Sequence, residues 1–391
     1  MDKIDNLLDN KGVPLEKQTF TWRELAGKPI SKLDDDAFTR VRVILMNGVE
    51  ADTLRLKHFG NRFHKALRLP LAQIRRVEQH QMTTVNWLLS ADHSPLETTV
   101  AYEQVAIEVT AAVAQNEPDP YQAQTYRFGL LEDFDHLYRY AAMLDRLEGK
   151  DARTITQGYT DIVPGRPTRE HHRAPQDDLR EHYQKDDAQL ITKLHAALIT
   201  AAEYQTHDYY MNIGPVFADP LARALYAEIA SVEEQHVTQY GSLQDPGETF
   251  IEKWMIHEAM EVYAYASCAE QEDNPRIKAL WERFVDYELG HLNLACELFK
   301  QHERRDPAEV LAGTLPRMID FKSQRDFVRE TLRQERDLRT RGSAFVAKEQ
   351  ESQRSLDYRA RINSQGVPAD IVSAGYTWHP GSELNTQGAR S

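Results

Sequence analysis

Three acid-x-x-histidine pairs stand in the sequence: Asp133 with His136, Glu233 with His236, and Glu288 with His291. A further glutamate lies thirty residues before each acid, at Glu103, Glu203 and Glu258. Residues three apart share one face of a helix, so each pair sets a carboxylate beside an imidazole. Such donors suit iron or manganese, whereas structural zinc sites favour sulfur and nitrogen. One isolated pair of this kind is usually a solvated ion pair. Three copies at one spacing, each with its partner glutamate, point instead to metal ligation.

The residues around these acids decide which way they face. Glu103 has Val100, Ala106 and Ile107 at helical spacing; Glu203 has Ile199, Thr200 and Tyr210; Glu258 has Trp254, Met255 and Val262. Asp133 lies between Leu130 and Leu137, Glu233 among Ile229, Ala230 and Val237, and Glu288 among Phe284, Val285, Leu292 and Ala295. The acids therefore face inward. A buried carboxylate without a counter-charge costs several kcal/mol or takes up a proton. Few basic residues share these faces, so a bound metal ion is the simplest counter-charge. Glu132, Glu228, Glu234 and Glu261, near the motifs, read for the most part as exposed. His171, His172 and His182 read as surface residues, His207 as a possible extra ligand, and Glu78 and His80 as too close together to act jointly. Tyr210 and the neighbouring tyrosines read as core.

Helices must carry these groups, and their starts are well marked. A capping residue is followed at once by proline at Ser94, Asp119, Asp219, Asp245 and Asn274. Proline suits the first helical position, where its missing N–H has no partner to lose. Glu97 and Glu248 complete capping boxes with Ser94 and Asp245, and Gly149, Gly214 and Gly241 fall where helices should stop. The pattern predicts helices over about 71–90, 95–116, 120–148, 187–212, 220–241, 246–272 and 275–303. The fold class is all-α. Short loops make antiparallel hairpins of 95–148, 187–241 and 246–303, and each hairpin offers one half-site. Counted from Asp119, Asp219 and Asn274, an aromatic residue (Tyr126, Tyr226, Trp281) comes seven positions on in each second helix and the motif acid fourteen.

The organisation expected is an N-terminal extension over 1–70, a helical bundle over 71–303 with a polar crossover at 150–186, and a C-terminal helix and wrapping tail over 304–391. Residues 1–70 suggest only short helices and turns. The chain of 391 residues carries 61 acidic and 47 basic side chains, a formal net charge of -14, which disfavours nucleic acid or an anionic membrane as partner. Two cysteines, Cys268 and Cys296, without metal-like spacing and an N-terminus without signal-peptide character fit a cytoplasmic protein. No apolar run suggests a membrane span.

A glutamate on one helix and Glu-x-x-His on the next, twice over, resembles the ferritin-like di-iron carboxylate superfamily, in which four helices supply six ligands. The resemblance covers about residues 95–303. It implies a four-helix core, two iron ions (manganese or a mixed Mn/Fe pair being alternatives), motif acids that bridge the ions, and one histidine per ion. Three half-sites exceed the two required. Motif quality favours hairpins two and three, since Asp133 replaces glutamate in the first. Topology favours hairpins one and two, because the family joins its halves by a long crossover and only 150–186 supplies one. The function expected is an oxidoreductase or oxygenase that activates O2 or peroxide toward a small-molecule substrate, with a homodimer left open. The alternatives are a ferroxidase or metal-storage protein and a non-enzymatic helical scaffold.

Overall fold

A computed structural model of the chain describes residues 7–33, 35–162, 172–313 and 317–374. Eight long helices form its body: α2 (Ala37–Phe63), α3 (Arg68–Asn86), α4 (Pro95–Asn116), α5 (Pro120–Glu148), α7 (Leu190–Ile213), α8 (Pro220–Gly241), α9 (Phe250–Gln271) and α10 (Pro275–Glu303). Short helices α1 (Trp22–Leu25), α6 (Arg153–Thr156) and α11 (Ala308–Leu311) lie between or beside them. Among the described residues the protein is all-helical apart from one antiparallel pair, β1 (Leu338–Arg341) and β2 (Ala344–Ala347). No described helix is long and apolar enough to cross a membrane.

The caps fix most helix starts where the sequence places them. The Asp119 carboxylate accepts from the N–H groups of Tyr121 and Gln122, that of Asp219 from Ala222, and the Asn274 amide oxygen from Arg276 and Ile277. Ser94 and Glu97 form the expected capping box. The start expected after Asp245 is corrected: α9 begins at Phe250, capped by Thr249 and Glu252. Asp245 is otherwise engaged, accepting from the backbone N–H of Gly247 at 2.7 Å and of Lys185 at 2.8 Å, so it ties the crossover to the turn.

The larger correction is α2, a helix of 27 residues in the segment that suggested only short helices and turns. It has no amphipathic stripe to betray it, because every residue from Ala37 to Glu50 is buried. α2 packs against α3, α4, α7 and α9. At its crossing with α7, Gln205 donates to the Ile44 carbonyl at 2.8 Å and accepts from Asn47 at 2.5 Å. A Cβ on Gly48 would lie 2.8 Å from the Gln205 amide, so this crossing needs a glycine.

Each helix pairs with its neighbour as a hairpin, and the four hairpins assemble into two quartets. One joins α4 and α5 to α7 and α8. The other joins α2 and α3 to α9 and α10, so the first quartet is inserted in sequence between the halves of the second. The C-terminal segment, with α12 (Arg325–Glu335), α13 (Gln353–Ile362) and α14 (Pro368–Val372), lies on the first quartet. Its anchors include Arg329 to Asp161 at 2.7 Å and the N–H of Ala369 to Glu228 at 2.7 Å. Pro164, Gly165, Pro167 and His171 of the crossover lie outside the described residues.

Glu108 on α4 is another anchor, accepting from Thr160 at 2.6 Å and from the N–H of Gln324 at 2.7 Å. Burial pushes its carboxyl up to about 7 despite these hydrogen bonds. A carboxyl raised in the folded state binds protons more tightly there than in the unfolded chain. Its stabilisation is therefore complete below the unfolded pKa and is lost as pH rises toward 7. Glu108→Gln keeps the shape without the charge. Urea unfolding should show this variant gaining on the wild type between pH 4.5 and 7.5, by on the order of 3 kcal/mol; a pH-independent difference would refute the assignment.

Candidate metal centre

Inside the first quartet, six chemistry-bearing side chains converge from four helices: Glu103 on α4, Asp133 and His136 on α5, Glu203 on α7, and Glu233 and His236 on α8. None is more than 1% exposed. Ligand atoms of Asp133, Glu203, Glu233 and His236 all lie within 4.8 Å of one another, and so do those of Glu103, His136 and Glu233. Glu233 belongs to both groups. Hairpins one and two thus meet face to face across the crossover, and hairpin three stands apart from them.

The histidine geometry is informative. His236 turns Nδ1 inward, 3.3 Å from Asp133 Oδ1, 3.3 Å from Glu233 Oε2 and 3.6 Å from Glu203 Oε2. Its other nitrogen, Nε2, lies 2.8 Å from Glu132 Oε2. The Arg173 guanidinium, 2.7 Å from the other Glu132 oxygen, helps bring the Glu132 carboxyl down to about 2 against the opposing effect of burial. An ionised carboxylate accepts, so Nε2 carries the hydrogen and Nδ1 is aimed at the acids. His136 places Nδ1 2.9 Å from Glu233 Oε1. On the far side the Tyr210 hydroxyl donates to Glu103 Oε1 at 2.5 Å.

Hydrogen bonds satisfy little of the remaining polarity. Both oxygens of Asp133 and of Glu203, and one each of Glu103 and Glu233, make none. Burial, with Glu233 close by, holds Glu103 well above the usual carboxylate range; burial and Glu203 do the same to Asp133. Burial pushes Glu203 up to about 7. Glu233 moves the other way, because His136 and His236 outweigh its burial, and His236 is raised because the acids outweigh its own. The cluster by itself therefore divides a few protons among too many carboxylates.

The second quartet holds a second cluster. Ligand atoms of Glu78, Glu258, Glu288 and His291 lie within 4.8 Å of one another, as do those of Glu50, Glu261 and Glu288. The hairpin-three residues Glu258, Glu288 and His291 therefore meet acids of α2 and α3. His291 again turns Nδ1 inward, 2.9 Å from Glu288, while its Nε2 lies 2.7 Å from the Gln18 amide oxygen. Gln18 is held in turn by the carbonyls of Val13 and Tyr287, in a segment that packs closely only because residue 290 is glycine. This cluster contains a cation: Lys57 of α2, fully buried, pairs with Glu78 and, at 2.5 Å, with Glu258.

Several readings of individual residues are corrected. Glu132, Glu228 and Glu261 are buried, and only Glu234 of that group is exposed. His172 is buried 3.4 Å from Glu228 rather than exposed. His207 pairs with Asp208 at 3.2 Å on the partly exposed side of α7, outside both clusters. Glu78 pairs with Lys57 and lies with Glu258, Glu288 and His291, and Gln81, one turn on, donates to Glu288. Glu50, Lys57, Glu78 and Gln81 fall outside the repeated motif because the α2–α3 hairpin separates its acids by twenty-eight residues, has glutamine in place of histidine, and lacks the capping proline. A search for Glu-x-x-Gln beside the Glu-x-x-His copies would have found Glu78.

Comparison with protein-family models, with curated proteins and with solved structures finds no match to this chain. The clusters must be interpreted from their own chemistry.

If carboxylate crowding governs the ion-free first cluster, removing one charge without changing shape should relieve it. Asp133→Asn should raise the unfolding free energy of chelator-treated protein by about 1–2 kcal/mol. Thermal melts in excess chelator test this, and a clear loss of stability would show that the cluster is not strained by its charge.

Proposed function

We propose that the first quartet is a ferritin-like dinuclear non-haem metal centre, with iron as the preferred ion, and that the protein is an oxidoreductase or oxygenase acting on O2 or peroxide. The observation that carries this is the donor set. Four buried carboxylates and two inward-facing histidines fall into two groups that share Glu233. Two divalent ions would balance four carboxylate charges, and many of the ligand oxygens make no hydrogen bond that an ion would have to break. Oxygen donors with one imidazole per ion favour iron or manganese.

In this reading, Glu203 and His236 would hold one ion and Glu103 and His136 the other, with Glu233 available to both and Asp133 in the group of Glu203 and His236. When bound there, two iron(II) ions would supply the two electrons that reduction of dioxygen to the peroxide level requires. The protein's own part is to hold and to shield. Glu132, clamped by Arg173, fixes the tautomer and rotation of His236, and such outer partners typically matter 10–100-fold, roughly, in metal affinity. Tyr210 holds one oxygen of Glu103 and leaves the other available. The leucine and tyrosine side chains packed around the cluster keep water out, which strengthens every charge interaction inside.

Elemental analysis tests the centre. Glu233→Ala or His236→Ala should lower bound iron plus manganese by two ions per chain with helicity unchanged, and Glu132→Gln should weaken metal affinity about 10–100-fold. O2 uptake by the iron(II)-loaded protein should disappear in the same variants. Unchanged metal content in Glu233→Ala would rule the centre out in favour of a helical scaffold.

A further inference from the structure

The second cluster resembles the first in plan and differs from it at four positions, one of them the exchange of Asp133 for Glu78, which keeps the charge. Glu50, Glu78, Glu258, Glu288 and His291 occupy the places of Glu103, Asp133, Glu203, Glu233 and His236. Gln81 stands where the first cluster has His136. Seven residues after the first glutamate comes Lys57 in place of Thr110, and three after the third comes Glu261 in place of Thr206. Both threonines are buried, as are Lys57 and Glu261. One positive and one negative charge have thus been added together inside the second quartet.

The two added charges fall on different sides of the cluster. The Lys57 ammonium pairs with Glu78 and Glu258, members of the group that includes His291. Glu261 lies with Glu50 and Glu288 in the other group. There the Tyr265 hydroxyl and the Gln81 amide donate to Glu50 Oε1, at 2.5 and 3.4 Å, and Gln81 also donates to Glu288. Glu261 is fully buried, and neither of its oxygens makes a hydrogen bond; nor does Glu50 Oε2. The amide oxygen of Gln81 also makes none, and a half-turn of that amide would present it to the same acids.

We propose that Glu50, Glu261 and Glu288, with the amide oxygen of Gln81, bind a single divalent cation, while the ammonium of Lys57 fills the neighbouring position and keeps a second ion out. This goes beyond the dinuclear centre proposed above and does not depend on it. Four oxygen donors without an imidazole select a hard ion, manganese(II) or magnesium, rather than a soft one. The lysine is a counter-ion tethered to α2, so the second quartet would hold one exchangeable ion.

The test titrates Mn2+ into chelator-treated full-length protein carrying Glu203→Gln and His236→Gln, which disable the first cluster, and reads free Mn2+ by electron paramagnetic resonance. One Mn2+ per chain should bind. Adding Glu261→Gln should abolish that binding, with Glu50→Gln as the second variant if the first does not fold, and adding Lys57→Met should raise it to two. No Mn2+ bound in the parent, binding indifferent to both glutamine substitutions, or no gain with Lys57→Met would each overturn the proposal. The dinuclear reading is judged separately, by whether the unsubstituted protein binds two ions more than this parent.

Discussion

The whole structure depends on one electrostatic constraint. Nine carboxylates, Glu103, Asp133, Glu203 and Glu233 in one quartet and Glu50, Glu78, Glu258, Glu261 and Glu288 in the other, sit at 0 to 1% exposure inside helical bundles. Water cannot solvate them there, and a charge in such surroundings must be paired or neutralised. The apolar residues that make the bundles stable also make these acids costly. Leucine or alanine would pack at these positions without that penalty, and the acids instead form groups that could hold a metal ion.

The two quartets answer the constraint differently. In the first, the basic partners among the described residues are the two histidines of the cluster and Arg173, one shell further out on Glu132. In the second, the chain supplies its own cation at Lys57. The outer support follows the same logic in both: the histidine nitrogen that faces away from the acids is held by Glu132 in one and by Gln18 in the other. Segments outside the bundles provide these holds, Arg173 coming from the crossover and Gln18 from the N-terminal strap. Their polar sequences conceal that role.

How much of this the sequence discloses can be followed residue by residue. The hairpins with proline-marked starts, α4–α5 and α7–α8, are legible because capping chemistry is local. For the pairing of hairpins the sequence gives two opposed signals, motif quality for two and three and the long crossover for one and two, and the packing follows the crossover. The α2–α3 hairpin is not legible. Burial on every side erases the helical period in α2, buried Arg40 and Arg42 mimic a surface pattern, and α3 starts from Leu67 without a side-chain cap. For the same reason Lys57 could not be recognised as a core residue, since lysine is almost never fully buried unless paired, and its partners Glu78 and Glu258 lie on other helices. Glu132 and Glu261 read as exposed because charge type alone carries no trace of the neighbours that only the fold brings together.

The most direct measurement is anomalous X-ray diffraction at the iron and manganese absorption edges, on crystals of protein purified without added chelator. Compensation by divalent ions predicts two peaks between α4, α5, α7 and α8, about 3.5–4 Å apart, each beside one inward-facing histidine nitrogen. Well-ordered density with no anomalous peak there, and with Asp133, Glu203 and Glu233 hydrogen-bonded to one another through shared protons, would contradict it.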